Sequence, residues 1–384
     1  MNNKPSTKID FTIIDSLRGL ASLYVCIAHC RGVLWIGGNE YINLHPYNTW
    51  QYKDWLIMFT LSLTKLSGEA VIFFFVLSGF SIAHSLTYQP KIIPFLYKRF
   101  IRLYPPYILG FLLAIITVLI LKTSPGIFFS GKYDTLLFQK IAASLVLLTP
   151  AGIIKTLLYC PDLHTIITPY WSLVYEVIFY VGAVFFVRSL RSYYIVSCIF
   201  FAAGFFIGYL LPTYTTSSVL YEFLFQYNFY FMAGIFVYHN IDKINNRQLI
   251  VNKYWWVTCL FLYFFMIGLE STIKERYNIS FIIATVVCTI MICNMLSKKI
   301  FIAPLIQIGK FSYTLYVVHF SVAILVAYLL FTFLHVQPPY IYSFFYWIGA
   351  VFICVGVAYL FYILVEKQTK TYLDILRKKN KETI

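Results

Sequence analysis

The feature that most limits what this chain can fold into is a recurrence of apolar runs, each about twenty residues long, over nearly its whole length. In hydrocarbon the backbone must satisfy its own hydrogen bonds, so a spanning segment is either a helix or a strand of a closed barrel. Continuous rather than alternating apolarity selects the helix. The runs fall near 12–35, 68–87, 102–121, 170–187, 193–211, 221–238, 254–269, 279–296, 312–334 and 341–365. The expectation is an all-α polytopic membrane protein with about ten transmembrane helices. A single membrane domain would fill 1–384, with short tails at 1–11 and 370–384.

Charge settles two further points. Only 12% of the residues are charged, about half the share carried by soluble domains, too little to coat a globule in water. Lys and Arg nonetheless outnumber Asp and Glu by 30 to 15, a net charge of +15. On a soluble protein that excess would point to nucleic acid. Here the cations sit in short loops and tails, which is the pattern of cytoplasmic loops beside anionic lipid. Membrane lipid is therefore an expected partner and nucleic acid is not.

The basic loops (88–101, 188–192, 239–253, the stretch from Lys298 to Lys310, and the tail from Lys367 to Lys381) alternate with nearly neutral ones at 36–55, 212–220, 270–278 and 335–340. That alternation puts both termini in the cytoplasm. It also makes 141–158, interrupted by Thr149-Pro150-Ala151-Gly152 and Lys155, a re-entrant or interfacial segment. Counting it as a span would move Arg188 and Arg191 outside. Lys4 and Lys8 precede the first run without a small-residue cleavage pattern after it, so the first run reads as a retained span. The eight cysteines lie mostly in apolar runs, and Cys26/Cys30 and Cys288/Cys293 lack zinc spacing with partner histidines. They read as small packing residues, and no metal is expected.

The informative residues are the polar ones inside the apolar runs. Asp15, Arg18 and His29 all lie in the first run, where a charge at the bilayer centre costs about 2.5–3.5 kcal/mol on insertion scales. Arg18 and His29 are 11 residues apart, which returns them to nearly one helix face about 16 Å apart along the axis. Asp15 pairs with Arg18 at i,i+3, which accounts for the cytoplasmic end of the run but not for His29. In 170–187, Ser172 and Glu176 share a face, one to two turns inside the exterior end. The charge-derived topology brings Glu176 to a depth similar to that of His29, where a carboxylate orients an imidazole and raises its basicity. Lys98, Arg99 and Arg102 stand at the cytoplasmic start of 102–121, where Arg99 and Arg102 are placed to clamp phosphates. Charge alone fits lipid headgroups equally well. Ser78-Gly79 interrupts the aromatic helix 68–87 as a small-residue packing point and lacks the glycines of a nucleophile elbow. Ser312, Tyr316 and His319 share a face of 312–334. His45, His84, His164, His239 and His335 receive no role.

Six short motifs occur in one order: Leu17-Arg18-Gly19 with Arg18-x10-His29; Phe74-Phe75-Val76-Leu77-Ser78-Gly79-Phe80; Arg99-x-x-Arg102-Leu103-Tyr104-Pro105; Trp171-Ser172-Leu173-x-x-Glu176; Ser312-Tyr313-x-x-Tyr316-x-x-His319; and Val365-Glu366-Lys367. Together they resemble acyltransferase family 3, integral membrane acyltransferases that modify sugars, over about Ile9 to Tyr372. The final motif departs from the family in having Gln368 where a proline is usual, and the expectation is a membrane domain that acts without an appended hydrolase-like domain.

The resemblance implies transfer of an acyl group, most often acetyl, from cytosolic acyl-coenzyme A to a hydroxyl of a cell-surface carbohydrate or lipid-linked glycan. It implies a plasma membrane (bacterial inner membrane) location and no permanently bound cofactor, with acyl-coenzyme A as donor substrate. It further implies catalytic roles for Arg18, His29 and Glu176, and donor binding by Arg99 and Arg102, with Lys98 beside them. Ser78, Trp171, Ser172, Tyr316 and His319 would support the site. His29 would act as base or as a covalent acyl carrier. A polysaccharide-precursor transporter or flippase is the competing class, since buried Arg, Glu and His also line transport paths. A different membrane O-acyltransferase fold with a lone catalytic histidine would explain His319 but not the other motifs. Acceptor, acyl group and oligomeric state are not specified by the sequence.

Overall fold

The computed structural model describes residues 5, 9–35, 38–88, 91–123, 149–159, 168–186, 189–210, 218–246, 251–272, 279–334 and 343–382. Among these there is no strand. The first helices are α1 (Phe11–Leu34), α2 (Gly38–Leu44), α3 (Tyr52–Ser62), α4 (Ser67–Tyr88), α5 (Ile92–Thr123) and α6 (Pro150–Leu157). Then come α7 (Trp171–Phe186), α8 (Leu190–Leu210), α9 (Asn228–Asn246), α10 (Trp255–Thr272) and α11 (Ile279–Lys298). The last are α12 (Ala303–Lys310), α13 (Ser312–Phe333), α14 (Ser343–Phe361) and α15 (Lys367–Glu382). A helical turn, Val219–Glu222, and a π-helical turn, Phe223–Tyr227, lead into α9, and a second π-turn, Tyr362–Glu366, joins α14 to α15.

Among the described residues each expected span coincides with helix, and the chain is an all-α polytopic membrane protein. Seven helical segments are long and apolar enough to cross a bilayer, and α7 and Trp255–Leu269 are apolar but shorter. Side-chain exposure follows from that solvent. On α14, Phe345, Phe352 and Tyr359 recur every seventh residue and are 71%, 73% and 51% exposed, whereas Trp347, Ala350, Cys354 and Ala358 are buried. One stripe faces lipid and the other faces protein.

Three details differ from the sequence expectation. Residues 92–101, grouped with a basic cytoplasmic loop, form the first turns of α5. This helix continues through Pro105 and Pro106, as membrane helices can when neighbouring groups satisfy the freed carbonyls. The stretch 370–384, expected as a tail, is helical through Glu382. Thr149-Pro150, which looked like an interruption, is a helix start. The Thr149 hydroxyl accepts from the Gly152 amide at 3.1 Å and Pro150 takes the first position, where no N–H is needed. The resulting α6 has 8 residues, a rise of about 12 Å against a hydrocarbon core of about 30 Å. It therefore does not span, and 141–148 lie outside the described residues.

The chain divides into two compact units, each assembled from three separate stretches. The first contains Met1–Ala21, Gly68–Arg99 and Ser172–Lys310; the second contains Ser22–Ser67, Phe100–Trp171 and Phe311–Ile384. In lipid, apolar burial between helices gains little hydrophobic energy, so close backbone packing and interhelical hydrogen bonds carry the association. In the first unit α4 and α9 touch backbone to backbone. A Cβ on Gly79 would lie 2.0 Å from the Phe231 carbonyl oxygen, and one on Gly234 would lie 2.0 Å from that of Val76. Phe231 is stacked between Phe75 and Phe179, with ring centroids at 4.5 and 4.2 Å. In the second unit the Trp347 indole donates to the Ile27 carbonyl at 2.9 Å, joining α14 to α1. Tyr107 donates to the Thr156 carbonyl at 2.5 Å and stacks on Tyr159, which holds α6 to α5.

Candidate active site

The α1 helix runs unbroken from Phe11 to Leu34, so Arg18 and His29 do share one helix. Their surroundings differ completely. Next to Arg18, Gly19 lets α1 meet α12: a Cβ there would sit 2.0 Å from the Leu305 carbonyl oxygen. The Arg18 guanidinium donates to the Ser81 hydroxyl at 3.0 Å, and that hydroxyl donates onward to the Leu77 carbonyl at 2.7 Å. Asp15 lies 3.9 Å from the guanidinium, at the edge of ion-pair range.

On the same face of α4, one turn before Ser81, Ser78 donates to the Glu176 carboxylate at 2.7 Å. Tyr180, one turn further along α7, donates to the same carboxylate oxygen. The Arg99 guanidinium lies over the Tyr180 ring, 5.5 Å from its centroid, and donates to the Ser85 hydroxyl at 3.3 Å. Ser78, Ser81 and Ser85 are spaced i, i+3, i+7 and so share one helix face. Along that face they hold Glu176, Arg18 and Arg99 in turn. The sequence reading set Arg99 at the cytoplasmic clamp and Glu176 near the exterior. Tyr180 instead joins them, because α5 starts at Ile92 and Arg99 is already inside a helix packed in this unit. Tyr180, Ser81 and Ser85 went unnoticed in the sequence, although Tyr180 lies one helical turn from Glu176, and Ser81 and Ser85 lie one and two turns from Ser78.

In the second unit, His29 meets another imidazole. The His29 and His319 ring centroids are 5.3 Å apart at an interplanar angle of 73°, and Phe320 stands edge-on to His29 at 5.4 Å. His319 is fully buried. Its Nδ1 lies 2.9 Å from the Leu315 carbonyl oxygen, and since a carbonyl only accepts, Nδ1 carries the hydrogen. The remaining nitrogen, Nε2, is then a bare lone pair, buried without a hydrogen-bond partner. His29 itself is only partly buried. Tyr316, 6.0 Å from His319 between ring centroids, donates to the Pro169 carbonyl at 2.5 Å. Its hydroxyl therefore fixes the turn before α7, and Tyr170 reinforces that tie by donating to the Val317 carbonyl at 2.9 Å.

The other singled-out residues fall as follows. Lys98 and Arg102 are partly buried on α5, and Arg102 has no acidic partner among the described residues. Ser172 and Ser312 are buried, and Trp171 is partly exposed. Glu366 is 1% exposed, accepts from Thr314 at 2.5 Å and pairs with Lys370 at 2.8 Å. The Val365-Glu366-Lys367 motif therefore fastens the second π-turn to α13. Cys26 and Cys30 meet a third thiol, Cys354, in one buried group. No spacing rule could have revealed that group, because Cys354 comes from the far end of the chain.

Chemically, the first unit offers anchored positive charge and the second offers an imidazole pair with a spare acceptor. A family model described as an acyltransferase domain matches residues 11–363. No curated protein matches the chain, and no solved structure does.

Proposed function

The chain belongs to the acyltransferase family whose domain spans residues 11–363, and from that premise we propose that it moves an acyl group, most often acetyl, from cytosolic acyl-coenzyme A to a hydroxyl of an extracytoplasmic carbohydrate. The observation that carries this reading is the His29–His319 pair, in which the ring of a partly buried residue meets a buried one whose Nε2 accepts nothing. A buried, unsatisfied acceptor costs about 1–3 kcal/mol. It is retained where a ligand's hydrogen is to be received or where a neighbouring ring must be held in a useful state.

In the reaction His29 takes the proton from the acceptor hydroxyl as its oxygen attacks the thioester carbonyl carbon. The carbon–sulfur bond breaks, coenzyme A leaves as thiolate, and the proton held by His29 passes to that sulfur. His319 positions the His29 ring through the T-shaped contact. Lys98, Arg99 and Arg102 bind donor phosphates, where guanidinium forks give short, charge-assisted hydrogen bonds. Glu176 serves within the Ser78–Tyr180–Arg99 network, keeping Tyr180 under Arg99 and offsetting its charge. The loop charges support a cytoplasmic donor site and cytoplasmic termini, and the proposed location is a plasma membrane of the bacterial inner-membrane type.

The test is to supply labelled acetyl-coenzyme A to membranes with and without the protein and to follow label into surface glycan. Protein-dependent, alkali-labile label on glycan is the expected result. Unlabelled glycan whose precursor still crosses the membrane only when the protein is present would overturn the reading in favour of a flippase.

A further inference from the structure

The second unit holds a group of sulfur side chains that acyl transfer does not use. Cys26 and Cys30 are i,i+4 on α1 and so share a face, and Cys354 comes from α14. The sulfurs of Cys26 and Cys30 are 3.9 Å apart, and those of Cys30 and Cys354 are 3.6 Å apart. All three lie within 4.8 Å of one another, and each residue is fully buried. We propose that this triad is a binding site for a soft monovalent metal cation of the Cu(I) type, held by three sulfurs.

The spacing fits. Three sulfurs bonded at about 2.3 Å around one ion in a plane stand about 4.0 Å apart, close to the two separations observed. The corners of the coordination triangle are thus already set, and an ion enters with small side-chain rotations. The donor set fits as well. Soft sulfur ligands select Cu(I), which accepts three, whereas structural zinc takes four. No fourth His, Asp or Glu joins the three thiols among the described residues. A disulfide would require about 2.0 Å between two sulfurs and would leave the third unused. Metal binding displaces thiol protons, so uptake of the ion is accompanied by proton release.

The position gives the site a consequence. His29 precedes Cys30 on α1, and the Cys354 thiol donates to the His319 carbonyl at 3.3 Å. An ion bound here ties α1 to α14 beside both histidines.

The experiment titrates the full-length reduced protein in lipid nanodiscs with Cu(I) against a chromophoric Cu(I) chelator, with Ag(I) as a second probe. One Cu(I) is retained per chain, and X-ray absorption shows three sulfurs at about 2.3 Å. Cys354→Ser lowers the affinity at least about tenfold, as loss of a ligand or its support does. Cys288→Ser, at a buried cysteine outside the triad, leaves it within about twofold, as an independent site should. Failure of the wild-type protein to hold Cu(I) against the chelator overturns the proposal, as does equal retention by the triple serine variant of Cys26, Cys30 and Cys354. Should a serine variant not fold, the wild-type absorption spectrum decides, and fewer than three sulfurs overturns the proposal.

Discussion

The two ends of α1 carry polar side chains into opposite kinds of surroundings. Around Arg18, in the first unit, hydroxyls meet the charges one by one: Ser81 at Arg18, Ser78 and Tyr180 at Glu176, Ser85 at Arg99. Around His29, in the second unit, the neighbours are ring edges, and the buried Nε2 of His319 has no partner. A satisfied network in a low dielectric is rigid and holds its charges in fixed geometry. On the proposed function, the open Nε2 of His319 lies where substrate chemistry takes place. On that same proposal, the first region holds the donor and the second does the chemistry.

Each prediction probes that division, and the largest effect falls on the histidine side. His29→Ala lowers the turnover number by about 10²–10⁴-fold, the usual contribution of a general base, while the protein still inserts in the membrane. Transfer of labelled acetyl by purified protein measures it, and wild-type turnover would break the comparison outright. On the other side, Arg99→Ala removes a charged donor, worth about 1.5–3 kcal/mol or roughly ten- to a hundredfold. The loss is expected in KM for acetyl-coenzyme A, with kcat nearly kept. A loss confined to kcat would move Arg99 to the chemical side.

Gly79→Ala tests what supports the network, because the added methyl meets the Phe231 carbonyl and forces α4 from α9. About 1–3 kcal/mol of stability is expected to go, read as a lowered thermal midpoint, and an unchanged midpoint would show that the two backbones have room. The smallest effect belongs to Tyr180→Phe, which removes one hydroxyl from Glu176 and keeps the ring under Arg99. Ser78 still donates to the same carboxylate oxygen, so the loss is expected to be about 0.5–1.5 kcal/mol, a two- to tenfold rise in donor KM. A drop in kcat with unchanged KM would mean that Glu176 acts on the reacting atoms instead.

The legibility of the molecule follows the same division. Helices were readable because twenty-residue apolar runs admit no other spanning structure, and the polar intrusions Arg18, His29 and Glu176 stood out against them. Partners within a turn were within reach of helical periodicity: Tyr180 follows Glu176 by four residues, and Ser81 and Ser85 lie on the face of Ser78. Partners across the chain were not. Nothing in the spacing of His29 and His319, or of Cys30 and Cys354, says that their helices meet, because contact between helices depends on small-residue crossings such as Gly79–Gly234. The first turns of α5 were hidden for a different reason. Lys98, Arg99 and the two prolines 105 and 106 all resemble a loop, yet a protein-packed membrane helix accommodates them.

The most direct test of the division is donor affinity in a protein that cannot turn over. Acetyl-coenzyme A is titrated calorimetrically into His29→Ala and into wild-type protein with the acceptor absent. If binding and chemistry reside in separate regions, the two Kd values agree within about threefold, under 1 kcal/mol, although His29→Ala turns over about 10²–10⁴-fold more slowly. Loss of donor binding in His29→Ala as large as that in Arg99→Ala would contradict the account.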